Sequence, residues 1–121
     1  MYVQLDTRTD KVILRLSGKF DFEARRDVTA AFEKALAKPT PVQIVINFYE
    51  ASYIDSSALG QLLVLQEKAA NAGRKLLLSG ARGMVDQVLK IANFEKRFQF
   101  IEHAPGFVRE SKEIEKPTSA A

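Results

Sequence analysis

Val42-Gln43-Ile44-Val45-Ile46-Asn47-Phe48 is a nearly continuous apolar run of the kind that suits a central strand covered on both faces. It leads through Tyr53-Ile54-Asp55-Ser56-Ser57-Ala58-Leu59-Gly60 into a leucine-rich stretch at helical spacing. The octapeptide concentrates polar chemistry at the boundary between strand and helix. Asp and Ser are favoured at a helix N-terminus because their side-chain oxygens accept from backbone N–H groups that have no intrahelical partner. The same positive helix end stabilises a phosphate. Ser56 is thus a candidate phosphoacceptor, while capping by Asp55 and Ser56 is the commoner use of such a pattern.

Toward the C-terminus, Leu59, Leu62, Leu63 and Gln66, with Ala69 and Ala70, fall along one side of a helix that Gly73 is placed to stop. Lys75–Ser79 reads as a second buried strand. Strand, helix and strand joined by short links imply a right-handed crossover and parallel pairing. Gly80-Ala81-Arg82-Gly83 introduces another helix, in which Met84, Val85, Val88, Leu89 and Ala92 repeat at three- and four-residue intervals and which Asn93 closes. Phe98, Phe100 and Ile101 suggest a final short strand, with Phe94 beneath the preceding helix.

Toward the N-terminus, Val3 and Leu5, then Val12, Leu14 and Leu16, alternate with polar residues on either side of Arg8-Thr9-Asp10, the period-two pattern of a hairpin. Gly18 is read as the end of the second strand. Asp21 stands at a helix N-cap position ahead of Ala24, Val28, Ala31, Phe32, Ala35 and Leu36, and that helix stops before Pro39. Pro39-Thr40-Pro41 forces an extended connection, since each proline fixes φ and disfavours helix in the residue before it. These elements make one α/β layer structure. Residues 1–104 are read as a single domain and 105–121 as an extension: Phe107, Ser111 and Ile114 share a weak helical face, which allows a short docked helix at most, followed by disorder.

With 121 residues the chain can bury a core without disulfides or metal, and it has no cysteine, which excludes disulfides, thiolate zinc sites and cysteine nucleophiles. No stretch approaches the ~20 apolar residues of a membrane span, and no opening apolar run resembles a signal peptide, so a cytoplasmic protein without membrane insertion is expected. The excess of 18 Lys+Arg over 15 Asp+Glu is small and spread out, which implies no direct nucleic-acid partner. Lys90, Lys96 and Arg97 read as a solvated helix end. An acyl-transfer serine would need a base and an orienting group, yet the single histidine, His103, lies near the edge of the folded part with no ligand cluster around it. Gly80-Ala81-Arg82-Gly83 has the G-x-x-G form of one RNA-binding class but follows a strand, and a phosphate loop ending in Lys-Ser/Thr is absent. No metal, cofactor or catalytic activity is expected.

The order of elements, with Leu16-Ser17-Gly18-Lys19-Phe20-Asp21 near the start and the octapeptide in the middle, resembles the STAS domain family, which includes the bacterial anti-sigma factor antagonists. The resemblance covers residues 2–104. It implies a mixed β-sheet with flanking helices and no enzyme activity. The unphosphorylated form would bind an anti-sigma factor that is also a serine kinase and thereby release the sigma factor. Phosphorylation would fall on Ser56, and a serine phosphatase would reverse it. Asp55, Ser56 and Ser57 would lie in the docking surface, with Asp21 at its rim. Ala58 departs from the glycine many antagonists carry there, which bears on the fit to a partner. Family members attached to transporters leave a second reading, a constitutive subunit of a lipid or anion transport complex.

Overall fold

The computed structural model describes residues 1–39 and 43–101. The order is β1 (Tyr2–Thr7), β2 (Lys11–Phe20), α1 (Arg25–Leu36), β3 (Gln43–Ile54), α2 (Ser56–Asn71), β4 (Lys75–Ser79), α3 (Gly83–Ile91) and β5 (Gln99–Ile101), with single 3₁₀ turns at Phe22–Ala24 and Phe94–Lys96. The strands form one sheet in the order β1-β2-β3-β4-β5. β1 is antiparallel to β2 and every other pairing is parallel, so the sheet is mixed, as expected. The expectations for 105–121, for His103 and for Thr40, Pro41 and Val42 lie outside the described residues.

The hairpin closes where the turn residues placed it, with the Arg8 N–H donating to the Lys11 carbonyl at 2.7 Å. Asp6 accepts from the guanidinium groups of both Arg8 and Arg15 at 2.8 Å. Burial raises the Asp6 pKa, but the hydrogen bonds and charges of the two arginines outweigh it and hold the carboxyl below its ordinary value.

Two boundaries differ from the sequence reading. β2 does not end at Gly18 but passes through it, at φ +96°, to Phe20. β3 likewise runs on to Ile54, where the apolar pattern suggested a stop at Phe48. The reason is two bulges. Between Arg15 and Ser17, and again between Gly18 and Lys19, β3 advances one residue more than β2, so that Arg15↔Asn47 is followed by Ser17↔Glu50 and Gly18↔Ala51 by Lys19↔Tyr53. Each extra residue shifts the alternation, and the inward positions fall at Ile44, Ile46, Phe48, Ala51 and Ile54. A period-two search loses the strand at the first of these three-residue steps.

All three helices cover one face of the sheet. Val28, Ala31, Phe32 and Ala35 of α1, Ala58, Leu62, Leu65 and Ala69 of α2, and Val85 and Leu89 of α3 bury against Val12, Leu14, Leu16, Ile44, Ile46, Phe48, Leu76 and Leu78. In α2 the buried stripe is rotated from the expected one: Leu65 and Gln61 are buried, Leu59 and Leu63 are half-buried and Ala70 is exposed. A helix with leucines around much of its circumference leaves the choice of face to its neighbours. α2 ends as Gly73 suggested. At φ +74° this glycine lets its own N–H reach the Ala70 carbonyl and the Arg74 N–H reach that of Ala69, at 3.0 and 2.8 Å, which is a Schellman motif. Asn93 closes α3 in the left-handed region, and Phe94 packs its ring 5.1 Å from Phe98, both buried. Phe98 precedes β5 and does not belong to it.

After β4 the backbone turns at Gly80 with φ +73°. A Cβ there would sit 2.8 Å from Asn47 Nδ2 and 3.1 Å from the Tyr49 amide nitrogen. Asn47 is buried and committed at both ends: it donates to Ser79 Oγ at 2.9 Å and accepts from the Tyr49 N–H at 3.1 Å. Gly80→Ala should therefore destabilise the domain by about 2–4 kcal/mol, the sum of a left-handed alanine and a disturbed buried hydrogen bond. Urea unfolding with an unchanged slope is the measurement, and a shift below about 1 kcal/mol would show that the Asn47 side chain yields freely.

Candidate functional site

The last pair in the β2–β3 register is Phe20↔Ile54, so the next residues, Asp21 and Asp55, leave the sheet side by side at the carboxyl ends of parallel strands. Both act as N-caps. Asp21, in extended backbone, accepts from the Ala24 N–H at 3.1 Å and starts the 3₁₀ turn that runs into α1. Asp55, also extended, accepts from the Ala58 N–H at 3.0 Å and starts α2. The expected capping role falls on these two aspartates, and Ser56 is the first residue inside the helix.

The two serines are used differently. Ser57 is half-buried and its hydroxyl donates to Asp55 Oδ1 at 2.7 Å. Ser56 is exposed, and among the described residues its hydroxyl takes no side-chain hydrogen bond. The Asp55 carboxyl is held below the usual carboxylate range, first by the Ser57 hydroxyl and then by the backbone N–H groups of Ala58, Ser57 and Phe22, which outweigh its partial burial. A fixed negative charge therefore stands beside the open Ser56 hydroxyl. Ala58 has no exposed surface: its methyl is in the core, so the departure from glycine alters packing beneath α2 and leaves the outer face unchanged.

Four participants were assigned no role of their own from the sequence. Phe22 is 63% exposed, carries the Arg25 guanidinium 4.5 Å above its ring, and brings its N–H to Asp55. Tyr53 is exposed at the end of β3. Gln61 is buried and donates to the Arg25 carbonyl at 2.9 Å and to Thr29 Oγ1 at 2.6 Å, which ties the start of α1 to the second turn of α2. A polar residue standing between Ala58 and Leu65 within an apolar stripe was the available signal for it. Gly60 lies one turn beyond Ser56 on the exposed side, with nothing within 4 Å of where a Cβ would be. Beyond it Val64 is 52% exposed. Among the described residues no three His, Cys, Asp or Glu side chains gather as metal ligands, and no helix is long and apolar enough to cross a membrane.

An exposed hydroxyl at a helix N-terminus, beside a charged cap and with the exposed rings of Phe22 and Tyr53 at the ends of the same strand–helix junctions, is suited to docking and modification. The STAS domain family matches residues 2–105. The chain is 35% identical over 89 residues to a STAS-domain containing protein of Pseudomonas aeruginosa, covering 74% of this chain and 86% of that one. It is also 35% identical over 81 residues to an anti-sigma F factor antagonist of Lysinibacillus sphaericus, covering 65% and 69%. The fold superposes on the unphosphorylated anti-sigma factor antagonist SpoIIAA with a TM-score of 0.71 at 22% identity, over 85% of this chain and 89% of that one. With a mixed five-stranded sheet, its helices on one face and the Asp-Ser-Ser cap at the end of the third strand, this chain belongs to the STAS domain family and has the fold of its anti-sigma factor antagonists.

Proposed function

We propose that this chain is an anti-sigma factor antagonist that works by partner exchange. With Ser56 unmodified it occupies an anti-sigma factor of the serine-kinase type, and the sigma factor goes free. Phosphorylation of Ser56 ends the occupancy, and a serine phosphatase restores it. The chain acts as ligand and kinase substrate and performs no catalytic step of its own. The observation that carries this reading is the division between neighbouring serines, in which Ser57 is committed to Asp55 and Ser56 stands open at the first helical residue.

The electrostatics suit such a switch. A phosphoserine adds about −1.5 to −2 charges. On the free protein the N-terminus of α2 and surrounding water tolerate them. Within an interface the same charge must be desolvated next to an Asp55 carboxylate that its hydrogen bonds keep ionised. Modification then weakens docking while the fold persists. Exposed Phe22 and Tyr53 supply apolar contact area around the switch, and Gly60 lets a partner's backbone come close to α2 one turn away.

Calorimetric titration of the anti-sigma partner should give an affinity for the phosphorylated chain about two orders of magnitude below that of the unmodified chain, corresponding to on the order of 3 kcal/mol for an uncompensated interfacial charge. Ser56→Ala should bind persistently and accept no phosphate, and equal affinities for the modified and unmodified chains would favour a constitutive subunit of a transport complex instead.

Gly60→Ala should stabilise the folded chain by about 0.5–1 kcal/mol, because alanine replaces glycine in an exposed helix interior with no steric contact, and should weaken partner binding. Thermal unfolding and titration of the same variant separate the two effects. Stabilisation with unaltered affinity would remove Gly60 from the docking surface.

Asp55→Ala should cost about 1 kcal/mol at neutral pH through loss of the cap. Because the folded pKa of Asp55 is lowered, its contribution is complete above the unfolded value of about 3.9 and fades as pH falls through the folded one. The stability gap between the variant and the parent chain should therefore narrow below about pH 4. A gap that persists undiminished in acid would mean that the carboxylate is not the stabilising group.

A further inference from the structure

β1 closes one side of the sheet, and among the described residues no strand pairs with its outer edge. Tyr2–Thr7 keeps an unbroken register with β2 and contains no proline, lysine or bulge, so every second residue turns its backbone N–H and C=O outward without the devices that usually blunt such an edge. Val3 and Leu5, opposite Leu16 and Leu14, point to the helix side of the sheet and remain half-buried. They floor a groove of about 290 Å³ along the edge, walled by Asp27, Ala30, Ala31 and Lys34 of α1. Asp27, Ala30 and Lys34 stand on one stripe of that helix, at spacings of three and four. Asp27 and Lys34 are exposed, and among the described residues neither takes part in an ion pair or a side-chain hydrogen bond.

We infer that a second copy of this chain occupies this edge: β1 pairs antiparallel with β1 of the other copy about a two-fold axis normal to the sheet, and the two five-stranded sheets become one. Three features make the edge its own complement. With the axis at Gln4, Val3 of each copy faces Leu5 of the other, so the apolar floor of one groove continues into the next, and the two Gln4 side chains meet on the opposite face. The helices obey the same axis. α1 connects the parallel strands β2 and β3 and therefore runs back along β1, so the axis that reverses β1 also reverses α1 and sets Asp27 of each copy against Lys34 of the other, two equivalent ion pairs. The spacing fits as well: α1 packs on both β1 and β2, and a helix over the gap between them comes about 10 Å from its symmetry mate, two strand spacings and the usual distance of packed helices. An unrelated extended peptide could pair with the backbone of the edge but would leave Asp27 and Lys34 without partners. The inference is independent of the proposed function, because β3, which carries the Asp55-Ser56 turn, lies two strands in from this edge and the pairing uses no residue of that turn.

Sedimentation of the full chain over a concentration series, with amide hydrogen exchange on the same samples, is the test. The chain should form a dimer as concentration rises, and alternate amides of Tyr2–Thr7 should gain protection in step with it. Lys34→Glu and Asp27→Lys should each weaken the dimer about tenfold or more, because either change sets two like-charged pairs across the axis. Both positions are exposed, so the monomer fold should persist, and the double variant Asp27→Lys/Lys34→Glu, which exchanges the charges, should restore most of the association. A chain that stays monomeric at the concentrations used for NMR overturns the assignment, including the case in which only an added anti-sigma partner protects the β1 amides and thereby claims the edge. A dimer whose β1 amides exchange as fast as in the monomer, or one that both single variants leave unchanged, overturns it equally, since the contact would then lie elsewhere.

Discussion

Parallel pairing between β2 and β3 is the constraint from which the site arises. β4 pairs with β3 only as far as Asn47↔Ser79, but β2 stays with β3 to Phe20↔Ile54, so a two-stranded ribbon extends past the rest of the sheet. The bulges that accompany it increase local twist and admit the extra residues of β3. Gly18, at a φ that L side chains rarely adopt, lets β2 keep pace with its partner. At the tip, Asp21 and Asp55 emerge together, and the Phe22 N–H that reaches Asp55 joins the two helix starts. A slip of one residue in this register would turn Ile54 outward and separate the caps.

Within the octapeptide each residue has a separate physical task. Ile54 and Ala58 anchor the turn in the core, Asp55 holds the backbone of the first helical turn, and Ser57 holds Asp55. Ser56 is left as the hydroxyl without such a task. A modification at Ser57 would have to break the hydrogen bond that keeps Asp55 in place, and one at Ser56 would leave that bond and the cap intact. The fold can therefore survive a charge at Ser56, the property a reversible switch needs. Gln61 contributes at a distance: by tying α1 to α2 through the Arg25 carbonyl and Thr29 it fixes the relative position of Phe22 and Ser56.

Much of this was legible in the sequence because the signals were local. Alternation at Val3, Leu5, Val12, Leu14 and Leu16 marked the hairpin, Gly73 and Asn93 marked helix ends that need left-handed backbone, and Asp21 and Asp55 marked caps, all properties of a few consecutive residues. The Asp-Ser-Ser motif placed Ser56 at the start of a helix for the same reason. What the sequence could not decide depended on residues far apart in the chain. The bulges hid the end of β3 because they exist only relative to β2, and the buried side of α2 was set by α1 and β4, since its leucines permitted several orientations. Phe22 entered the site only because the register set it against Asp55. The sequence by itself determined the element order and the identity of the capping turn, through chemistry confined to neighbouring residues such as the Ser57–Asp55 hydrogen bond; the tertiary structure alone decided what surrounds that turn, because burial and contacts such as those of Gln61 are settled between elements that meet only on folding.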